Sequence, residues 1–229
     1  MRLLDTFLDY LEKYKYLSLV EIGNATVIGI LFSIAFVFLS RGESINELVY
    51  ETFHLPGPGA GIALLVGPIA IMCGLVAHVL NSKPGPMLVS IIVFGTLMPI
   101  GQSLFNPDGL GQYPFFFPLF SFIFLAIVME ILVYMFSKRN EFQRIIAPAI
   151  VANILFLVFW WVTIFPFYLK EWPVKEKVEV SGFSGFIEYV SPILILLGVG
   201  LVGAVAIGSI IPIIVSSMRT KKPKDPSSY

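Results

Sequence analysis

The sequence predicts an all-α membrane protein: a polytopic bundle of six transmembrane helices, preceded by an amphipathic helix at the interface. Three observations predict it. The chain of 229 residues is 57% hydrophobic and 13% charged, with a mean hydropathy of +0.87, more apolar surface than a soluble domain of this size buries in one core. The apolar residues fall into six long runs, at about 22–40, 61–80, 86–105, 114–136, 145–169 and 190–218, each near the roughly 20 residues that cross a hydrocarbon core about 30 Å thick. None of the runs alternates polar and apolar residues at strand spacing, which argues against a closed β-barrel.

Ahead of the first run, Leu3, Leu4, Phe7, Leu8 and Leu11 recur at helical spacing opposite Asp5, Asp9, Glu12 and Lys13. Residues 1–16 therefore read as an amphipathic helix lying along the bilayer surface. They lack the basic start and small-residue cleavage site of a removable signal. The first span carries Ala25, Gly29 and Ser33 at four-residue spacing, a stripe that lets another helix backbone approach closely. It serves either internal packing or docking of a partner subunit.

The loop Arg41–Ala60 is long, holds Val49, Tyr50, Phe53 and His54, and ends in a Pro/Gly series. Its apolar residues need burial, so it is expected to fold over the bundle as a lid. Spans two and three are joined only by Asn81-Ser82-Lys83-Pro84-Gly85 and must cross as antiparallel neighbours. Asn106–Tyr113 and Trp172–Tyr189 are expected to complete a vestibule on the side of the lid.

Span four holds Glu130 inside Ala126-Ile127-Val128-Met129-Glu130-Ile131-Leu132, with Tyr134 one turn along on the same face. A carboxylate at membrane depth is costly unless it has partners or lines a cavity. Glu130 either reaches the headgroups, pairs with Lys138 or Arg139, or receives a substrate. Span five offers Asn153, Trp160 and Trp161; adjacent residues point about 100° apart, so only one tryptophan can face an interior. Span six repeats the small-residue pattern at Gly200, Ala204 and Gly208. Residues 219–229 form a basic tail, so the chain divides into 1–16, a membrane domain at 17–218 and 219–229.

Orientation follows from the basic residues, which resist translocation. Of the 15 Lys and Arg, only Arg41, Lys170, Lys175 and Lys177 fall on one side; the rest lie at the two termini, in the 82–85 turn and after span four. Both termini are therefore expected in the cytoplasm and the chain in the cell membrane. The net charge is +0, and the one basic cluster abuts the bilayer, so lipid headgroups rather than nucleic acid are its expected contact. Cys73 has no second cysteine, and His54 and His78 are too few for a metal site. No metal or cofactor is expected.

The sequence has no Gly-x-x-x-x-Gly-Lys-Ser/Thr phosphate loop, no His-Glu-x-x-His and no paired carboxylates within a span. It is expected to be no enzyme and to draw any energy from other chains.

Gly61-Ile62-Ala63-Leu64-Leu65, then Lys83-Pro84-Gly85-Pro86-Met87-Leu88-Val89-Ser90, then Asn106-Pro107-Asp108-Gly109 resemble the central region of YkoE-type S components. These are the substrate-binding membrane subunits of energy-coupling factor transporters. The later Glu130 in its alanine-containing helix is similar as well. The resemblance covers about residues 55–135. It implies six helices with cytoplasmic ends, an outward-facing pocket capped by the first outer loop, and release by toppling of the subunit in the bilayer. It implies a transmembrane coupling protein and ATPase subunits as partners, with Ala25, Gly29 and Ser33 as the stripe that meets the coupling protein. Such proteins are associated with thiamin or its hydroxymethylpyrimidine precursor. The chain departs from the family string after Ser90, where Ile91 stands in place of an acid.

Two functions follow. The first is a substrate-binding subunit of a vitamin-type importer, with Tyr134 and Trp160 as aromatic walls and Glu130, Asn153, Gln102 and His54 as polar contacts around a small molecule. The second is a non-catalytic accessory or scaffold subunit of a larger membrane complex, in which the small-residue faces are protein contacts.

Overall fold

The computed structural model describes residues 17–39, 62–81, 83, 85–105, 116–168, 198 and 200–220. The amphipathic 1–16 segment, the three loops of the expected vestibule, His54 and the tail from 221 lie outside the described residues. Among the described residues there is no strand. The described residues form an all-helical bundle, and five of their helices are long and apolar enough to cross a membrane.

Helix α1 spans Leu19–Leu39, three residues earlier than the apolar run suggests. Ser18 accounts for the difference. Its hydroxyl accepts from the Glu21 amide at 3.2 Å, and the Glu21 carboxylate accepts from the Ser18 amide at 2.9 Å. This reciprocal capping box satisfies two end donors and draws a charged residue into the first turn. Helix α2 spans Gly67–Asn81 and is preceded by a π-helical segment, Ile62–Val66. That segment runs into Pro68, which lacks the N–H needed to close an α-turn on Leu64. Helix α3 spans Pro86–Phe105, α4 Phe116–Met135 and α5 Glu141–Tyr168. The apolar part of α4, Leu119–Met135, is shorter than the other five.

The start of α5 also precedes its apolar run, because Asn140 caps it with a side-chain bond to the Gln143 amide at 2.8 Å. Residues 200–203 lead through a second π-helical segment, Ala204–Ser209, into α6 at Ile210–Thr220. Here too a proline, Pro212, follows within one turn. The widened turn is braced by Ser209, whose buried hydroxyl donates to the Ala204 carbonyl at 3.0 Å.

Helix α2 lies at the centre. Every residue from Gly67 to Ala77 is buried, and α1, α3, α5 and the last helix all pack on it. A helix that is apolar all round has no solvent face, which suits this place. Helix α3 is the second hub, packed between α1, α2 and α4. Contact between these helices is made through glycine. A methyl on Gly29 would fall 2.8 Å from the Ser90 carbonyl and from Val93, and one on Gly74 would fall 2.6 Å from Ile91. Close packing, rather than expulsion of water, holds helices together in lipid.

Ala25, Gly29 and Ser33 are thus used inside the chain: all three are buried, and the Ser33 hydroxyl donates to the Gly29 carbonyl at 2.7 Å and approaches that of Phe94 at 3.4 Å. A row of rings crosses the bundle. Phe36, Phe94 and Phe122 meet edge to face at 6.0 and 5.6 Å, and Phe122 meets Phe156 at 5.6 Å. These contacts tie α1, α3, α4 and α5 together and add about 0.5–1.5 kcal/mol per pair beyond simple burial.

Candidate functional site

The helix directions bring the charged ends together. Helix α1 runs parallel to α3, as the pairing of Gly29 with Val93 and of Gly101 with Val37 requires, while α2 and α4 run against it. The start of α1, the end of α2, the start of α3, the end of α4 and the start of α5 therefore share one end of the bundle. Glu21, His78, Lys83, Glu130 and Arg144 all belong to it.

The turn between α2 and α3 organises this end. Gly85 has φ 101°, a conformation that costs a residue with a side chain about 1–2 kcal/mol. It also occupies the capping position of α3, where a glycine has no side chain to offer the first amides. Pro86 follows at the first helical position, where its missing N–H costs nothing. Glu130 supplies what Gly85 lacks. Its Oε1 accepts from the Gly85 amide at 2.8 Å and from the Leu88 amide at 3.4 Å. The carboxylate is 4% exposed and sits at the positive end of the α3 dipole, the favourable place for a negative charge. A second carboxylate holds the same turn from the other side, since Glu21 pairs with the Lys83 ammonium at 2.8 Å. Helices α1 and α4 thus grip the turn between them.

Asn153 lies one turn before Phe156 on α5, at about the level of the ring row. It is fully buried on α5, and its Nδ2 donates to the Gly200 carbonyl at 2.6 Å. Its Oδ1 occupies the space that a side chain on Gly67 would need. One carboxamide therefore joins α5 to the last helix across α2, beside the π-helical start of span two. Trp160 is two turns further along the same face of α5 and is 5% exposed. Gln102, near the end of α3, is 4% exposed.

The expected site residues do not surround one chamber. Gln102 is seventeen positions along α3 from Gly85, roughly 25 Å at 1.5 Å per residue, so Glu130 and Tyr134 stand at one end of the bundle and Gln102 and Trp160 toward the other. A small molecule does not span both groups. Trp160 and Gln102 lie beyond the ring row and Asn153 at about its level; Glu130, with half-buried Tyr134 beside it, belongs to the turn.

Sequence reasoning missed Ser18, Glu21, Lys83 and Gly67 as contributors. The Ser-x-x-Glu spacing ahead of an apolar run was a readable signal for the first two. Nothing local announces that Gly67 faces an asparagine 86 positions away, because that contact exists only after packing. Comparison of the chain with protein-family models, with curated proteins and with solved structures finds no match.

Proposed function

We propose that the chain is the substrate-binding membrane subunit of an importer of the energy-coupling factor type, taking up a small vitamin-like or heterocyclic molecule. In this reading α4 also crosses the bilayer, giving six spans with both termini in the cytoplasm. Chemistry and energy belong to partner subunits, a transmembrane coupling protein and ATPases.

One observation carries the reading. The two separate parts of the resemblance, the Lys83-Pro84-Gly85 turn and the later Glu130, lie in direct contact, with the Glu130 carboxylate 2.8 Å from the Gly85 amide. Two fragments that resemble a family in sequence and also bond to each other form one structural unit. In this unit Glu130 closes the cytoplasmic end, and substrate enters from the opposite side toward Asn153, Trp160 and Gln102.

The accessory-subunit reading has an observation of its own. Asn153 is fully buried and bonded to the Gly200 carbonyl, a use that needs no ligand.

Gentle solubilisation from native membranes and identification of the copurifying polypeptides separates the two readings. An ATPase and a membrane coupling protein in stoichiometric amounts are expected. Stoichiometric partners that include neither would sink the importer reading.

A further inference from the structure

Helix α1 has two unlike faces. Ala25, Gly29, Ser33 and Phe36 are buried against the bundle, while Val20, Asn24, Val27, Leu31, Ile34 and Phe38 lie exposed on the opposite side. The five apolar members of that outer face are satisfied by lipid. Asn24 is not. It lies inside the span Leu19–Leu39, about one turn past Glu21, and its carboxamide carries two N–H donors and an acceptor oxygen that hydrocarbon leaves unmet. Ser103 and Ser217, also exposed within spans, return their hydroxyls to their own helices, at the Ile100 and Ile214 carbonyls, 2.8 Å away in each case. Asn24 makes no such bond among the described residues.

We infer that the outer face of α1 pairs with the same face of a second copy of this chain, the two Asn24 carboxamides bonding to each other across a two-fold axis. The exposed residues 20, 24, 27, 31, 34 and 38 follow one another at alternate intervals of four and three, the seam of a left-handed helix pair with Asn24 at a core position. Copies inserted with the same orientation bring their α1 helices together in parallel, so each Asn24 meets its twin at one depth. A carboxamide both donates and accepts, and the pair satisfies itself. A helix of another protein would need its own polar group at that level. Charge does not oppose the pairing: Glu21, the one charged residue of α1, is 16% exposed and held by Lys83 of its own chain at 2.8 Å. The pairing is independent of any substrate and goes beyond the importer reading.

Two measurements test it on the full chain. In the first, donor-labelled and acceptor-labelled copies are reconstituted together in lipid vesicles, and energy transfer is followed as the protein is diluted with lipid. Asn24→Ala should weaken association about tenfold, the size of one interhelical polar contact near the upper end of its range. Asn24→Gln, which keeps the carboxamide, should stay within about threefold of the unaltered chain. In the second, single cysteines are oxidised in native membranes, where the native Cys73 is fully buried. Val27→Cys, on the seam, should give a cross-linked dimer, and Val158→Cys, 47% exposed on α5, should not. Absence of energy transfer from the unaltered chain at every dilution overturns the inference, whatever then covers Asn24. Association unchanged in Asn24→Ala overturns the role of the carboxamide, and dimers cross-linked through Val158→Cys but not Val27→Cys overturn the choice of face. A Val27→Cys adduct with a different polypeptide, in place of the dimer, assigns the face to another protein and overturns the second copy. Because Asn24 and Val27 are exposed, their variants should fold, and the cross-link at Val27→Cys decides the matter even where Asn24→Ala does not.

Discussion

Glu130 performs a task that a capping side chain ordinarily does from its own helix. Because Gly85 is required for its φ of 101°, the residue at that position cannot also contribute a cap, and the acceptor comes from α4 instead. Removing it leaves two amide donors without that acceptor at a buried helix start, a loss of about 1–3 kcal/mol. Glu130→Ala should therefore lower the unfolding midpoint in detergent clearly. Glu130→Gln, which keeps an acceptor oxygen but loses the charge at the dipole, should fall between it and the unaltered chain. Equal midpoints for all three would show that the Glu130 bonds contribute nothing to stability. The sequence marked Glu130 as exceptional through its cost at depth, but not its partner. The amides of residues 85 and 88 look like any others until the turn is folded.

At the level of elements, glycine placement decides which helix meets which. Gly29 lets α1 touch α3 backbone to backbone, and the Ser90 carbonyl lies where its Cβ would go. Gly29→Leu should push α1 away from α3 and reduce the yield of folded protein. Gly23, with nothing within 4 Å of its Cβ position, should accept the same change with little effect; helical propensity even favours a side chain there by about 0.5–1 kcal/mol. Yield and thermal midpoint of the two variants, compared directly, measure this. The apolar runs made each described span legible to within a few residues, since length and hydropathy are local properties. The early starts of α1 and α5 departed from them because the caps at Ser18 and Asn140 hold polar residues in helical form. Whether the Ala25–Gly29–Ser33 stripe faces its own chain or another was not legible, since small-residue spacing is the same in both cases.

For the molecule as a whole, the two ends differ in kind. Among the described residues, one collects the ion pair and the buried carboxylate, the other helix stretches without charged side chains. The six-span reading with cytoplasmic termini puts the 82–85 turn inside the cell. Lys83 is 52% exposed, while Cys73 is fully buried, so a cysteine introduced at 83 should be the reactive thiol of the pair. A membrane-impermeant maleimide should label Lys83→Cys in inverted vesicles and not in intact cells; labelling from outside would reverse the orientation. The all-helical class was legible from composition together with the long apolar runs that show no strand-like alternation. The separation of Glu130 from Gln102 was not, because distance between residues on different helices depends on their direction and stagger, which no single run encodes.

The widened turn at Ala204–Ser209 has a consequence for how the gene can change length. A π-helical turn holds one residue more than the α-turn it replaces, while the helix on either side keeps its facing. Deleting a single residue there would restore an ordinary turn and leave Gly200 and Pro212 on the faces they now occupy. The same deletion in the middle of α3 would rotate everything after it by about 100° and carry Gly101 away from Val37. Single-codon loss is therefore survivable in one span of this protein and ruinous in another that is also long and apolar enough to cross a membrane.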